Sequence, residues 1–253
     1  MNDTGKYIFI SDVHLGLRVG NPGQREENLV SVLKNLPDDT KALFLLGDIF
    51  DFWFEYRYVV PKGFVRTLGA LAELADNGVQ IYFFKGNHDI WTFGYLESEI
   101  GLRVVKQPFI FEAGGKRFCL GHGDGMADGD KGYKILRSIF HNRILQRFFS
   151  NIHPRWAFSL AHSWSSHNRL AKGQRYKFKG VDEPLYHYSA QFETKESIDY
   201  FIFGHYHAPG EAVTPCGAGF YILGEWIHGC EYLEYDSFTN VISWKKGRFT
   251  SGT

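Results

Sequence analysis

Five short stretches of this 253-residue chain carry side chains of the types that can ligate metal ions. They are "SDVHLG" with Asp12 and His14, "GDIFD" with Asp48 and Asp51, "GNHD" with Asn87, His88 and Asp89, "GHGD" with His122, and "GHYH" with His205 and His207. Taken singly each is weak, because Asp, Asn and Gly are also the residues of ordinary turns. Their joint placement is informative: every one follows an apolar run of strand length. No cysteine is among them, which argues against a structural zinc site. A mixed His, Asp and Asn set suits Mn²⁺, Fe²⁺, Co²⁺ or Zn²⁺ at a higher coordination number. Asp12, His14, Asp48, Asn87, His122, His205 and His207 are more ligands than one ion takes, so two ions are implied. Asp48 is the best-placed carboxylate to bridge them. A metal pair ~3.5–4 Å apart clamps an in-line displacement at phosphorus.

The elements that must position these residues are readable too. Strand-like runs lie near residues 7–11, 42–47, 79–86 and 200–204, nearly continuous in Ile, Phe, Leu and Val. Such runs fit strands buried on both faces. Between the first three, residues 24–36 carry a helical apolar stripe at 29, 32, 33 and 36, and residues 63–77 read the same way, with Gly78 as a stop. This β-α-β-α-β order predicts a layered α/β sheet. A short helix is expected over 91–100, then a hairpin of residues 104–111 and 117–121 around "AGGK". The strand-rich remainder after His207 suggests a second sheet packed on the first. In open α/β sheets, sites form beyond the carboxyl ends of the strands. The glycines before Asp48, Asn87, His122 and His205 fit backbone bends or close packing of loops. Histidines at i and i+2 on a strand would share one face.

Composition sets the remaining bounds. The chain is 44% hydrophobic and 22% charged, as expected of a folded globular protein rather than a disordered one. Three cysteines without CxxC spacing point away from a disulfide framework and toward a reducing compartment. No apolar run approaches the ~18 residues of a spanning helix, and no signal peptide precedes "KYIFIS". A cytoplasmic, non-spanning protein is the expectation. The aromatic content of 17% could serve a core, an acyl-binding surface or a membrane-facing one. Net charge is zero, yet Lys131 to Val181 holds 11 Lys or Arg and no Asp or Glu. A solvated face usually mixes signs. A nucleic-acid surface needs the basic residues but not the accompanying Phe, Ile and Leu. A substrate both anionic and greasy accounts for both. The run "YKILRSIFHNRILQRFFSNIHPRWAF" has apolar residues nearly all round a helical wheel. It reads as one helix held by protein on one side and lipid on the other, or as two short helices broken near Asn151–Pro154.

Asp-x-His, Gly-Asp, Gly-Asn-His-Asp, His and Gly-His-x-His, in that order over residues 7–207, resemble the calcineurin-like metallophosphoesterases. The resemblance implies an α/β/β/α four-layer sandwich with a dinuclear centre. It implies that Asp12, His14, Asp48 and His207 hold one ion, and Asp48, Asn87, His122 and His205 the other. His88 would then face the phosphate as general acid or positive clamp, oriented by Asp51. Asp89 is read as supporting its loop rather than as a ligand. The domain expectation is one metallophosphoesterase domain over 1–253, with 126–192 as a helical, basic and aromatic lid inserted in it.

A narrower resemblance rests on "HGDGMADGDKGYKILRSIF" and "IHPRWAFSLAHSWSSHNRLAK". These are similar to the UDP-2,3-diacylglucosamine diphosphatases of lipid A synthesis, which release UMP and an acylated sugar 1-phosphate and usually use manganese. That family's lid encloses the acyl chains. The match implies substrate-binding roles for Asp130, Tyr133, Arg155, Ser165, Asn168 and Lys172, with Asn87, His88 and His205 at the phosphate. One departure stands: well-known members carry "GNRD", whereas His88 follows Asn87 here. The partners implied are a nucleotide-linked glycolipid and, peripherally, the anionic cytoplasmic face of the inner membrane; no nucleic acid is expected. The alternatives are a phosphodiesterase or phosphatase with a soluble phosphoester, a nucleic-acid-processing enzyme, and a non-catalytic module on the same fold.

Overall fold

The structure is a computed structural model and describes residues 4–127, 138–159 and 176–247. It begins with the β-α-β-α-β run that the apolar pattern predicts: β1 (Lys6–Ile10), α1 (Pro22–Lys34), β2 (Thr40–Leu45), α2 (Val65–Asp76) and β3 (Gln80–Phe84). Asn21 caps α1 by accepting the Gln24 N–H, with Pro22 at the first helical turn. The chain leaves α2 through Gly78 in a left-handed conformation, φ 88°. Next come α3 (Tyr95–Ile100), β4 (Arg103–Val105), β5 (Phe109–Ala113) and β6 (Lys116–Gly121). After β6 the described elements are α4 (Arg143–Phe149), α5 (Pro184–Phe192), β7 (Tyr200–Phe203), β8 (Gly210–Val213), β9 (Gly219–Ile222), β10 (Glu231–Asp236) and β11 (Val241–Lys246).

Two sheets result. One has the order β11-β10-β1-β2-β3-β4, and the other β5-β6-β7-β9-β8. β1 to β4 run parallel, as do β6, β7 and β9. Alternation along each strand divides the core. Tyr7, Phe9, Ala42, Phe44, Tyr82 and Phe84 point between the sheets, meeting Phe118, Leu120 and Ile202 of the second. Ile8, Ile10, Leu43, Leu45, Ile81 and Phe83 point the other way, onto α1 to α3. On the far side of the second sheet, Phe201, Phe203, Phe220 and Ile222 pack with Leu185 and Tyr186 of α5. The layers are therefore α/β/β/α. Much of the aromatic excess is this inter-sheet core: Phe44 stacks between Phe9 and Tyr82 at 4.9 and 5.0 Å.

The structure departs from the sequence expectations in two places. Residues 104–111 are not one hairpin strand. They divide into β4, which closes the first sheet, and β5, which opens the second, and the chain crosses between sheets at Gln107–Pro108. Pro108 has no N–H to continue a ladder there. The hairpin itself is β5–β6, turning at Gly114 and Gly115, both with positive φ (56° and 73°). Second, the C-terminal strands do not form the second sheet alone. β8 and β9 extend it, but β10 returns to pair antiparallel with β1, carrying β11 with it. The described part of the basic segment follows the broken-helix reading, with helical residues at 138–141, 143–149 and 154–159. α4 ends at Phe149, and helical structure resumes over 154–159.

Candidate metal centre

All five stretches lie just beyond strand ends: β1 before Asp12 and His14, β2 before Asp48, β3 before Asn87, β6 before His122, and β7 before His205 and His207. Parallel strands bring those ends to one side of the molecule. Backbone hydrogen bonds fasten the loops together: Asp12 N–H to the Gly47 carbonyl (3.1 Å), His14 N–H to that of Asp48 (2.9 Å), and Gly204 N–H to that of His122 (3.0 Å). The glycines are where the loops touch. A Cβ on Gly86 would lie 2.2 Å from Asp48 Oδ1, one on Gly204 2.5 Å from Asp12 Oδ2, and one on Gly47 2.7 Å from the His122 ring.

The backbone here is strained. Asp12, His14, Asp48, His205 and His207 have φ of 53°, 52°, 52°, 73° and 58°. Among the described residues only Phe64 and Asn240 share that conformation without being glycine. Each such residue costs about 1–3 kcal/mol and persists only where its surroundings hold it. His205 and His207 are thus not on β7 at all. They follow its end in left-handed backbone, and it is this curl rather than strand pleating that turns both rings inward.

The side chains form a tight group, fully buried at Asp12, His14, Asp48 and His122 and partly open at Asn87, His205 and His207. Ligand atoms of Asp12, His14, Asp48 and His207 all lie within 4.8 Å of one another. His207 Nε2 is 3.2 Å from Asp12 Oδ1 and 3.3 Å from His14 Nε2. Asp48 Oδ2 reaches both sides of the cluster, 3.8 Å from His14 Nε2 and 3.5 Å from His122 Nε2. On the second side, Asn87 Oδ1 is 3.3 Å from His122 Nε2 and 3.1 Å from His205 Nδ1. His122 Nδ1 lies 2.9 Å from the Leu46 carbonyl. A carbonyl only accepts, so Nδ1 carries a hydrogen and Nε2 is the ring atom that faces the cluster.

These residues fit divalent metal ions. Asp12 Oδ1 is buried without a hydrogen bond among the described residues, in a site lined by imidazole nitrogens and a second carboxylate. A buried carboxylate oxygen in that position needs a cation. Burial works against charge on Asp48, yet His122 and His88 outweigh it and hold the carboxyl well below its usual range. Asp12 follows the same pattern: burial raises it, His207 outweighs that, and it falls to about 2. Burial, reinforced by the charge of His122, pushes His205 down to about 4, leaving the neutral imidazole that ligates. Burial opposes charge on His122 too, but Asp48 overrides it and holds the ring well above the usual histidine range. Metal uptake would therefore displace a proton.

The model of the calcineurin-like phosphoesterase family matches residues 5–209. The chain belongs to that family. It is 35% identical over 252 residues to a UDP-2,3-diacylglucosamine hydrolase from Porphyromonas gingivalis, covering 94% of this chain and 96% of that one. A UDP-2,3-diacylglucosamine hydrolase from Stenotrophomonas maltophilia is 28% identical over 241 residues, covering 91% and 94%. Among solved structures, a dimetal phosphatase from Danio rerio aligns with TM-score 0.52 at 17% identity, over 98% of this chain and 97% of that one, a likeness of fold. As a member of the metallophosphoesterase family, the chain is a metal-dependent hydrolase.

The remaining candidates of this phosphoesterase fall unevenly. His88 donates its backbone N–H to Asp48 Oδ1 (2.9 Å), and its Nδ1 lies 3.0 Å from the carbonyl of Asp51. The Asp51 carboxylate stands between two rings, 3.4 Å from His14 Nδ1 and 3.6 Å from His88 Nδ1. Asp51 thus reaches His14 as well as His88. Asp89 accepts four backbone N–H groups from the loops that carry Asp48 and Asn87. Arg155 is exposed on the helical residues 154–159, and none of its described contacts reaches the cluster. Asp130, Tyr133, Ser165, Asn168 and Lys172 lie outside the described residues. Three supporting residues had not been singled out from sequence. Ser11 Oγ donates to Asp12 Oδ2 at 2.6 Å. Gln107 Oε1 accepts the His122 N–H at 2.6 Å. Buried Arg25 donates to the carbonyls of His14 and Val19. Only Arg25 left a trace, a charge one turn before Leu29 on the apolar stripe of α1.

Proposed function

We propose that this phosphoesterase hydrolyses the pyrophosphate of UDP-2,3-diacylglucosamine, giving UMP and 2,3-diacylglucosamine 1-phosphate. The observation that carries this reading is the near full-length similarity to a hydrolase named for that substrate. In the proposed site Asp12, His14, Asp48 and His207 hold one divalent ion and Asp48, Asn87, His122 and His205 the other, with Mn²⁺ as the preferred metal. Such ions supply Lewis acidity at the phosphoryl oxygens and an activated water. His88 presents charge or a proton to the phosphate: its Nδ1 hydrogen is directed to the Asp51 carbonyl, leaving Nε2 for the substrate side.

The segment after β6 supports an amphiphilic substrate. Phe149 of α4 stacks on Trp91 at 4.9 Å, and Trp91 Nε1 donates to the Phe140 carbonyl at 3.0 Å. Trp91 follows His88 by three residues, so the segment rests on the loop that carries His88. Phe52, Phe54, Phe158 and Ala157 complete the contact. α4 buries none of its own residues fully and exposes Ile144, Leu145 and Phe148. Arg143 and Arg147 stand with Ile144 and Phe148 around a cavity of about 510 Å³. We read the described residues 138–159, within the expected 126–192 insertion, as part of a lid for acyl chains, and their exposed basic and apolar side chains as a peripheral contact with anionic lipid. Among the described residues no helix is long and apolar enough to cross a membrane.

UMP release from UDP-2,3-diacylglucosamine with Mn²⁺, compared between the wild type and Asp48→Ala, tests the chemistry. Full activity in the variant would end the metal assignment. Turnover of aryl phosphodiesters with none of the glycolipid would end the substrate assignment. Flotation with anionic vesicles tests the membrane contact, which fails if the protein stays at the bottom of the gradient.

A further inference from the structure

Tyr206 lies between His205 and His207 and belongs to neither proposed ligand set. Its ring is stacked on Tyr176 with centroids 5.1 Å apart and an interplanar angle of 16°. Tyr176 is the first described residue of the stretch that leads into α5. Its hydroxyl donates to Glu183 Oε2 at 2.8 Å and Lys179 Nζ lies 5.0 Å over its ring, while the Lys179 N–H donates to Glu183 Oε1 at 2.7 Å. Glu183 is fully buried. Two residues on, Phe178 covers Gly210 so closely that a Cβ there would lie 2.2 Å from its ring. The stretch 176–178 therefore braces the 204–210 loop at two points, with Tyr176 on Tyr206 and Phe178 on Gly210. That loop carries the two histidines whose left-handed backbone needs holding, φ 73° and 58°.

We propose that Tyr206 is a positioning residue for the metal centre, and that Tyr176, by stacking on it, makes metal occupancy depend on the end of the basic segment that leads into α5. The inference rests on the metal reading above and extends it, since no ligand or substrate contact is asked of either tyrosine. Each ion takes one histidine from this loop, so loosening the brace weakens both. An aromatic pair supplies enough energy for an effect of about threefold to tenfold.

The test is Mn²⁺ titration of the full chain, read by the electron paramagnetic resonance of free Mn²⁺, which needs no turnover. Tyr176→Ala is expected to weaken Mn²⁺ binding about threefold to tenfold at unchanged stoichiometry, and Tyr206→Leu to do the same. Tyr176→Phe and Tyr206→Phe keep the stacked rings and should lose less Mn²⁺ affinity than the Ala and Leu variants. At saturating Mn²⁺ the Tyr176→Ala variant should recover kcat. If Tyr176→Ala fails to fold, Tyr176→Leu takes its place beside the Phe variant. Wild-type affinity in the Ala or Leu variant, or equal losses in the Phe and Ala variants, overturns the coupling. A wild-type chain that takes up no Mn²⁺ overturns the metal reading itself, a separate and recognisable outcome.

Discussion

Asp89→Asn removes one charge and almost no volume, so it isolates what holds Asp48 in place. Asp89 is fully buried. Its Oδ1 accepts the N–H groups of Gly86 (2.8 Å) and Asp48 (3.2 Å), and its Oδ2 those of Ile49 (2.8 Å) and Phe50 (3.2 Å). Burial and the charge of Asp48 push this carboxyl up, to about 7, against the pull of the amide donors. At pH 8 it is ionised. An asparagine in its place must turn its NH₂ toward one of these pairs, whichever way the amide is flipped. Two buried N–H donors then lose their acceptor, at about 1–3 kcal/mol each. The loss is about 2–6 kcal/mol, a large share of the ~5–15 kcal/mol that holds a domain together. Urea unfolding at pH 8 with EDTA present measures it without the contribution of bound metal. Activity should fall further than stability suggests, on the order of 100-fold, because a ~1 Å displacement of the Asp48 unit misplaces the reacting groups. Unfolding free energies that agree within about 0.5 kcal/mol, the range of an ordinary surface change, would refute the clamp.

Three further outcomes follow from the same geometry. Gly86→Ala would set a methyl 2.2 Å from Asp48 Oδ1 and should abolish metal uptake, whereas Gly69→Ala, in α2 with nothing within 4 Å, should stabilise by about 0.5–1 kcal/mol; calorimetry of both checks it. Removing metal with EDTA should lower the melting temperature, and restoring Mn²⁺ at ~100 times its Kd should return about 2.7 kcal/mol; an unchanged melting curve would count against the site. The Lys6 hydrogen bond holds Asp236 down to about 2, below its unfolded value, so its contribution is full at neutral pH and is lost as pH falls through the range from about 4 to 2. Asp236→Asn should therefore be less stable than the wild type at pH 7, with the gap closing in acid, as urea midpoints across pH will show.

The ligands were legible because each is a polar residue in a place where an apolar run has just ended. Parallel strands buried on both faces leave a strong pattern, and the only positions free to carry Asp, Asn or His are those beyond their ends. The same logic does not tell which sheet a strand joins. "FIFEA" and "EYLEYD" read as strands in isolation, yet β5 opens one sheet and β10 closes against β1 of the other. Pairing partners are set by the packing of the whole, which a local period of two does not encode. The site's supports were hidden for a related reason. The carbonyls of Leu46 and Asp51, which fix the His122 and His88 rings, are backbone atoms with no residue preference. Gln107 reaches the His122 loop from the crossing between sheets.

The left-handed histidines bring these two limits together. From "GHYH" alone, i and i+2 spacing implies a strand with both rings on one face. In the structure β7 has ended at Phe203, and the rings converge because the backbone curls at each histidine. Any strand can present two rings on one face. Five non-glycine residues in left-handed backbone around one cluster are a different matter, because each must be held there at a free-energy cost. The loops that hold them are locked by contacts that a single added methyl would break, at Gly47, Gly86 and Gly204. A fold that strains the same residues that carry the ligand atoms is one shaped around what those atoms bind. The strain is independent of the motif that first drew attention to them, and so it is the stronger ground for a metal centre here.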